Sequence, residues 1–245
     1  MNDAEGMSGA LNPRDHTWQP PLLSPDYKTT RLRAPSKPLI ALPSTRSEQT
    51  GPVFGHDAVG PLDHDLIRNY ASTGDPIGPR ILVHGRVVDE SAKPVAGALI
   101  EIWQANAGGR YRHVNEGYRA ALDPNFGGCG RTLTDADGRY LFRTILPAPY
   151  PWPNGPNTWR PAHIHFSLFG SAFGQRLLTQ MYFEGDPHIP DDPILNAVPD
   201  PRAVRSLIAQ LDRERSEPMD SRAYRFDLVL RGRNQSFFEN RTEGA

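Results

Sequence analysis

Cysteine is almost absent: Cys129 stands alone among 245 residues. One thiol can make neither an internal disulfide nor a thiolate metal cage, so both frameworks are excluded. An excess of charge is lacking too. Lys and Arg number 27 against 28 Asp and Glu, which leaves no basic field for nucleic acid and no polybasic tract for a membrane surface. No run reaches the roughly 18 apolar residues that a spanning helix needs, and residues 1–20 hold no apolar leader segment. Neither a membrane span nor a signal peptide is expected, and the chain reads as cytoplasmic.

Proline and glycine are plentiful, at 25 and 22 residues. Both interrupt helices, so short strands joined by turns and ordered loops are expected. Residues 1–79 read as an irregular arm, because Pro13, Pro20, Pro21, Pro25, Pro35, Pro38 and Pro43 recur too densely for a helix. Trp18, Tyr27, Leu39 and Ile40 are anchors within it, suited to packing on the chain's own core or on a partner. A short helix is predicted over residues 63–71, with acidic residues in its first turn.

Residues 80–245 have a different texture and read as a strand-rich domain. Strands are predicted at 81–89 (ILVHGRVVD), 98–104 (ALIEIWQ), on both sides of an Asp137-Gly138 turn, and at 163–169 (HIHFSLF), 177–183 (LLTQMYF) and 224–230 (YRFDLVL). Residues 201–215 read as a helix capped by Asp200, with Val204, Leu207, Ile208 and Leu211 as its apolar stripe. The fold class is mainly β: an antiparallel β-sandwich with long loops, the proline-rich N-terminal arm and one or two short helices.

The chemistry concentrates in residues 150–165. On a strand, residues two apart share a face, so His163 and His165 project together while Ile164, Phe166 and Leu168 cover the other side. Two imidazoles in register form a metal clip; a merely solvated sheet face is the alternative. Pro149, Pro151, Pro153, Pro156 and Pro161 stiffen the preceding loop, which presents Tyr150, Trp152, Trp159 and Arg160. Cysteine is missing and no carboxylate adjoins the pair, but Tyr111, Tyr118, Tyr140, Tyr150 and Tyr182 offer phenol oxygens. A phenolate suits a hard cation such as ferric iron better than zinc. Trp103 is assigned to the core, Gln180 can simply face solvent, and His16, His56, His64, His84, His113 and His188 read as structural or solvated.

Five segments resemble the intradiol ring-cleavage dioxygenases: GRVVDESAKPVAGALIEIWQANAGGRYRH, LDPNFGG, GRTLTDADGRYLFRTILPAPYPWPNGPNTWRPAHIHF, QMYFEGDP and YRFDLVLRG. The likeness runs from about Trp18 to Phe238. Within the family the chain is most similar to the β-type chains of the protocatechuate-cleaving branch, since the catechol branch has a helical N-terminal region that this arm cannot form. The resemblance implies one non-haem Fe(III) ion per chain, held by Tyr111, Tyr150, His163 and His165, with Tyr150 displaceable. It implies that Arg160 stabilises negative charge on the ring, that Trp152, Gln180 and Ile194 line the substrate cavity, and that Tyr27 lies near the substrate. Pro153 departs from the pattern, in which arginine is common.

The implied reaction opens the ring of protocatechuate, a small aromatic substrate, with O2 in aromatic catabolism (the β-ketoadipate pathway). An α subunit is the implied partner, giving a hetero-oligomer; no nucleic acid or membrane partner is expected. Other catechols (catechol itself, hydroxyquinol or sulfocatechol) are alternative substrates. A transthyretin-like binding module and a zinc hydrolase using the His pair are the rival readings.

Overall fold

Eleven strands account for most of the regular structure in the computed structural model, which describes residues 17–37, 56–169 and 176–230. Leu39, Ile40 and His16 lie outside the described residues. In chain order the strands are β1 (Arg80–Asp89), β2 (Leu99–Gln104), β3 (Cys129–Leu133), β4 (Arg139–Ile145), β5 (Tyr150–Pro151), β6 (Trp159–Arg160), β7 (His163–Phe169), β8 (Arg176–Phe183), β9 (Ile208–Glu217), β10 (Ser221–Arg225) and β11 (Leu228–Leu230). Two short helices accompany them, α1 (Thr30–Arg33) and α2 (Pro201–Ser206).

Nine of the strands join one sheet in the order β11-β1-β10-β9-β8-β7-β2-β3, with β4 on the other edge of β1. The two halves face each other across a shared core. Phe166 of β7 meets Tyr140 and Phe142 of β4 and Phe226 of the β10–β11 link, at ring separations of 5.2–6.4 Å. A short parallel pairing of β8 with β9, Tyr182 to Ile208 and Phe183 to Ala209, closes the halves into a continuous sheet. The mainly β expectation holds, but the architecture is barrel-like rather than a strict sandwich, with further parallel pairings of β1 to β10 and β11.

Three local expectations are corrected by where backbone groups find partners. Residues 63–71 form turns rather than a helix. The Leu66 N–H bonds the Arg143 carbonyl and the Arg143 N–H bonds the His64 carbonyl, which ties the segment to β4. Leu66 and Ile67 thereby enter the main core. The Asp137-Gly138 turn joins β3 to β4, yet β3 pairs with β2 and β4 with β1, so it crosses between the two halves. The predicted helix over 201–215 stops at Ser206, with Asp200 accepting the Arg202 N–H as its cap. From Ile208 the backbone pairs with β8 and β10. The apolar stripe is split accordingly: Val204, Leu207 and Ile208 join a second cluster with Tyr182 and Trp18, and Leu211 packs on the main core.

The strand predicted at 224–230 is also interrupted. β10 and β11 share one edge of β1, and Phe226 folds inward between them, donating its N–H to the His84 carbonyl. A Cβ on Gly85 would stand 1.9 Å from the Phe226 carbonyl oxygen, which also accepts from the Tyr140 hydroxyl. Glycine is therefore required by close approach. Gly85→Ala is expected to lower stability by about 1–3 kcal/mol through overpacking. Gly117→Ala, with open space around its Cβ, should be nearly neutral. Urea midpoints of the two variants check this.

Candidate metal centre

β7 is an inner strand, paired with β2 on one edge and β8 on the other. Ile164, Phe166 and Leu168 point into the main core, which forces His163 and His165 onto the opposite face. Cross-strand register then sets their neighbours: Trp103 of β2 and Gln180 of β8 beside His165, and Tyr182 of β8 beside His163. Trp103 is only half-buried and stacks flat on His165, with ring centroids 4.8 Å apart and planes 2° apart. It belongs to the site wall, not to the core assigned from sequence.

Tyr111 arrives on the loop after β2. The buried Asn106 side chain shapes that loop, accepting the Gly108 and Arg110 N–H groups and donating to the Ala121 carbonyl. Gly109 has φ +78°, and a Cβ there would lie 2.5 Å from the Pro149 carbonyl oxygen. The absence of a side chain lets this loop press against the segment that carries Tyr150. The two tyrosine rings meet edge to face at 5.5 Å. Tyr150 opens β5, whose partner strand β6 places Arg160 opposite it.

The Tyr111 hydroxyl oxygen lies 3.2 Å from Nε2 of both His163 and His165, and the Tyr150 ring is 5.6 Å from the His163 ring. His163 Nδ1 lies 2.7 Å from the Pro161 carbonyl oxygen. A carbonyl only accepts, so Nδ1 carries the proton and Nε2 presents its lone pair to the convergence point. Among the described residues no cluster of three His, Cys, Asp or Glu side chains could hold a metal, so a metal site here draws on tyrosine. Two imidazoles and two phenols fit a hard, highly charged cation.

In the protein alone these groups are neutral. Burial pushes the His163 imidazolium well below the usual histidine value, and the charges of Arg160 and His165 add to the effect. Burial and then Arg160 bring His165 down to about 3. Burial, then Tyr150, pushes the Tyr111 phenol well up. Tyr150 is raised by burial too, with Arg160 and Tyr111 opposing. A bound cation would reverse the balance for the phenols, since the ionised form would then gain more than burial removes.

Arg160 is 4% exposed. Its Nη2 donates to Gln180 Oε1 at 2.5 Å and to the Tyr182 hydroxyl at 3.0 Å, and its Nε lies 3.3 Å from Asp192 Oδ1. Burial opposes the Arg160 charge, yet Tyr182 and Asp192 together with both site tyrosines hold it above the usual arginine value. Its guanidinium also covers the Trp152 ring at 5.5 Å. Gln180 is thus buried, not solvated.

Ile194 is buried beside this network, its N–H bonded to Asp192 Oδ1. Tyr27 is outermost, edge-on to Trp152 at 5.4 Å. The arm is held there by Asn154, which accepts the Lys28 N–H and donates to the Asp26 carbonyl. The sequence pattern does not mark Trp103, Asn106 or Asp192 as site residues, and it offers Tyr182 only as one phenol among several. The period-two rule applied across paired strands would have found Trp103 and Tyr182. Asn106 and Asp192 act through loop geometry and left no such signal.

Two family models match the chain: one described as "Dioxygenase" over residues 49–232, the other as "Protocatechuate 3,4-dioxygenase beta subunit N terminal" over residues 13–45. The protocatechuate 3,4-dioxygenase beta chain of Burkholderia cepacia is 50% identical over 229 residues, 94% of this chain and 97% of that protein. The protocatechuate 3,4-dioxygenase alpha chain of Pseudomonas putida is 31% identical over 208 residues, 82% of this chain and 98% of that one. Among solved structures, 3-chlorocatechol 1,2-dioxygenase from Rhodococcus opacus superposes with a TM-score of 0.53 at 26% identity, covering 83% of this chain and 77% of that one.

The depressed histidines make a pH prediction for metal-free protein. The unfolded chain protonates His165 near the ordinary 6.5 and the folded chain only near 3, so between these values the unfolded state binds more protons and stability rises with pH. Stability is complete above about 6.5 and falls towards pH 3, by at most on the order of 1.4 kcal/mol per pH unit for this group. Urea midpoints between pH 7 and 4.5 should show a flatter decline for His165→Asn than for the parent.

Proposed function

The chain belongs to the intradiol ring-cleavage dioxygenase family, and from that premise we propose that it opens the ring of protocatechuate (3,4-dihydroxybenzoate) with O2 to give 3-carboxy-cis,cis-muconate. The observation that carries the reading is the meeting of the Tyr111 oxygen with both histidine Nε2 atoms at 3.2 Å, with Tyr150 alongside. Tyr111, Tyr150, His163 and His165 would hold one Fe(III) ion. When bound, the ion supplies Lewis acidity that favours the ionised form of the two adjacent ring hydroxyls.

The remaining roles fall to side chains. Ionised beside the bound cation, the Tyr150 phenolate oxygen would take up a proton from a substrate hydroxyl and become the neutral phenol, acting as the base while Pro149 and Pro151 limit the motion to its side chain. Arg160, braced by Asp192, Gln180 and Tyr182, keeps a fixed positive charge where negative charge develops on the ring. Trp152 and Ile194 supply apolar walls that exclude water, and Tyr27 flanks the mouth. Pro153 is exposed and brings no charge there.

Residues 1–79 serve as an arm on the catalytic domain of residues 80–245. An α-type chain, of the kind named in the Pseudomonas putida relative, is the partner. Among the described residues no helix is long and apolar enough to cross a membrane, and the proposed compartment is the cytoplasm.

Metal analysis of the purified protein should give one iron per chain and a coloured ferric-phenolate band. His165→Ala should lose that iron at least tenfold more readily. His84→Ala should keep it, because His84 faces Asp212, 3.1 Å away, and not the site. Stoichiometric zinc in active protein would sink the assignment.

Tyr150→Phe separates a base from a mere ligand. Iron should be retained, and single-turnover rates should drop about 10²-fold, the size of a lost proton-transfer group. The parent rate with the parent spectrum would remove the proton role.

A further inference from the structure

The turn that follows β8 returns to the start of β7 with a carboxylate that the proposed chemistry does not use. Asp186 lies in the EGDP run at residues 184–187. Its Oδ2 accepts the Ala162 N–H at 2.7 Å and its Oδ1 accepts the His188 N–H at 2.9 Å. The Ala162 N–H and the Pro161 carbonyl belong to one peptide unit. The oxygen of that same unit accepts the His163 Nδ1–H at 2.7 Å. Carboxylate, peptide and imidazole therefore form one unbroken chain of hydrogen bonds.

We propose that Asp186 is a positioning residue for His163, acting through the Pro161–Ala162 peptide to fix the ring's tautomer and aim its Nε2 into the site. The proposal rests on the reading of His163 as an iron ligand only where iron retention is concerned. Three arguments support it. A charged acceptor makes the stronger hydrogen bond to an amide N–H. Hydrogen bonds in series polarise one another, so the Asp186 charge makes the Pro161 oxygen a better acceptor for the imidazole N–H. Finally, Ala162 and His163 are 6% and 2% exposed, so water does not compete at the peptide or the imidazole, and Asp186 itself is half-buried.

The geometry also argues against a simple turn cap. Capping needs only the oxygen that accepts the His188 N–H; the other reaches across to β7. His165 is held by a different device, the flat stacking of Trp103. The two imidazoles are thus oriented independently, one by a polar relay and one by an aromatic face.

Histidine-selective ¹⁵N NMR of the metal-free chain tests the tautomer without iron. The parent should show His163 only as the Nδ1–H form, and Asp186→Ala should show a mixture. In iron-loaded protein, transfer of iron to a chelator should be 10–100-fold faster in Asp186→Ala, the usual effect of removing such support. Asp200→Ala is the control: it removes the α2 cap and lowers stability away from the site, and should release iron at the parent rate. An Nε2–H form of His163 in the parent would overturn the proposal without need of any variant. So would parent-like tautomer and iron release in Asp186→Ala. A parent that takes up no iron but shows the Asp186-dependent tautomer would uphold the positioning role and instead defeat the metal reading.

Discussion

The site depends on the burial of β7 on both faces. An inner strand paired on both edges has no freedom to slip by one residue, because a slip would exchange Ile164, Phe166 and Leu168 with the histidines. The hydrophobic core on one side therefore holds the two imidazoles on the other. Everything placed against them, the Trp103 stack, the Tyr182 and Gln180 neighbours and the approach of Tyr111, is measured from that register.

Burial of this kind sets the electrostatics. Desolvation keeps both imidazoles and both phenols neutral in the protein alone, so the four groups can be brought together without mutual repulsion. The permanent charge at the site is Arg160, and a buried arginine is tolerable when its charge is paired and hydrogen-bonded. Asp192 pairs with it, and Gln180 and Tyr182 accept from its Nη2. The same contacts hold the guanidinium still, which a group stabilising transient charge requires.

Loops complete what the sheet begins. Asn106 shapes the Tyr111 loop, the β5–β6 pairing sets Tyr150 opposite Arg160, and Asn154 fastens the arm so that Tyr27 meets Trp152. Trp18 packs into the second cluster with Tyr182 and Leu207, so the arm is anchored on its own chain at two points before α1. The proposed movement of Tyr150 while Tyr111 stays in place requires loops held in this way.

The sequence alone determined what is local. Alternation along HIHFSLF put the histidines on one face whatever the surroundings, since successive side chains on a strand point to opposite sides. Asp200 and Pro201 likewise marked the helix start through their own backbone and side-chain chemistry. The likeness to a known family supplied Tyr111, because spacing could not: it lies 52 residues before His163. Tertiary structure decided the rest. The stripe at 204, 207, 208 and 211 fits a helix, but the open edges of β8 and β10 claimed its second half as β9. Trp103 left the core for the site because β2 pairs beside β7, and Asp186 reached the His163 peptide because the turn after β8 folds back to it. Periodicity reports which way a side chain points. What it meets there depends on pairings between distant segments, whose partners are chosen by backbone hydrogen bonds and core packing over the whole chain.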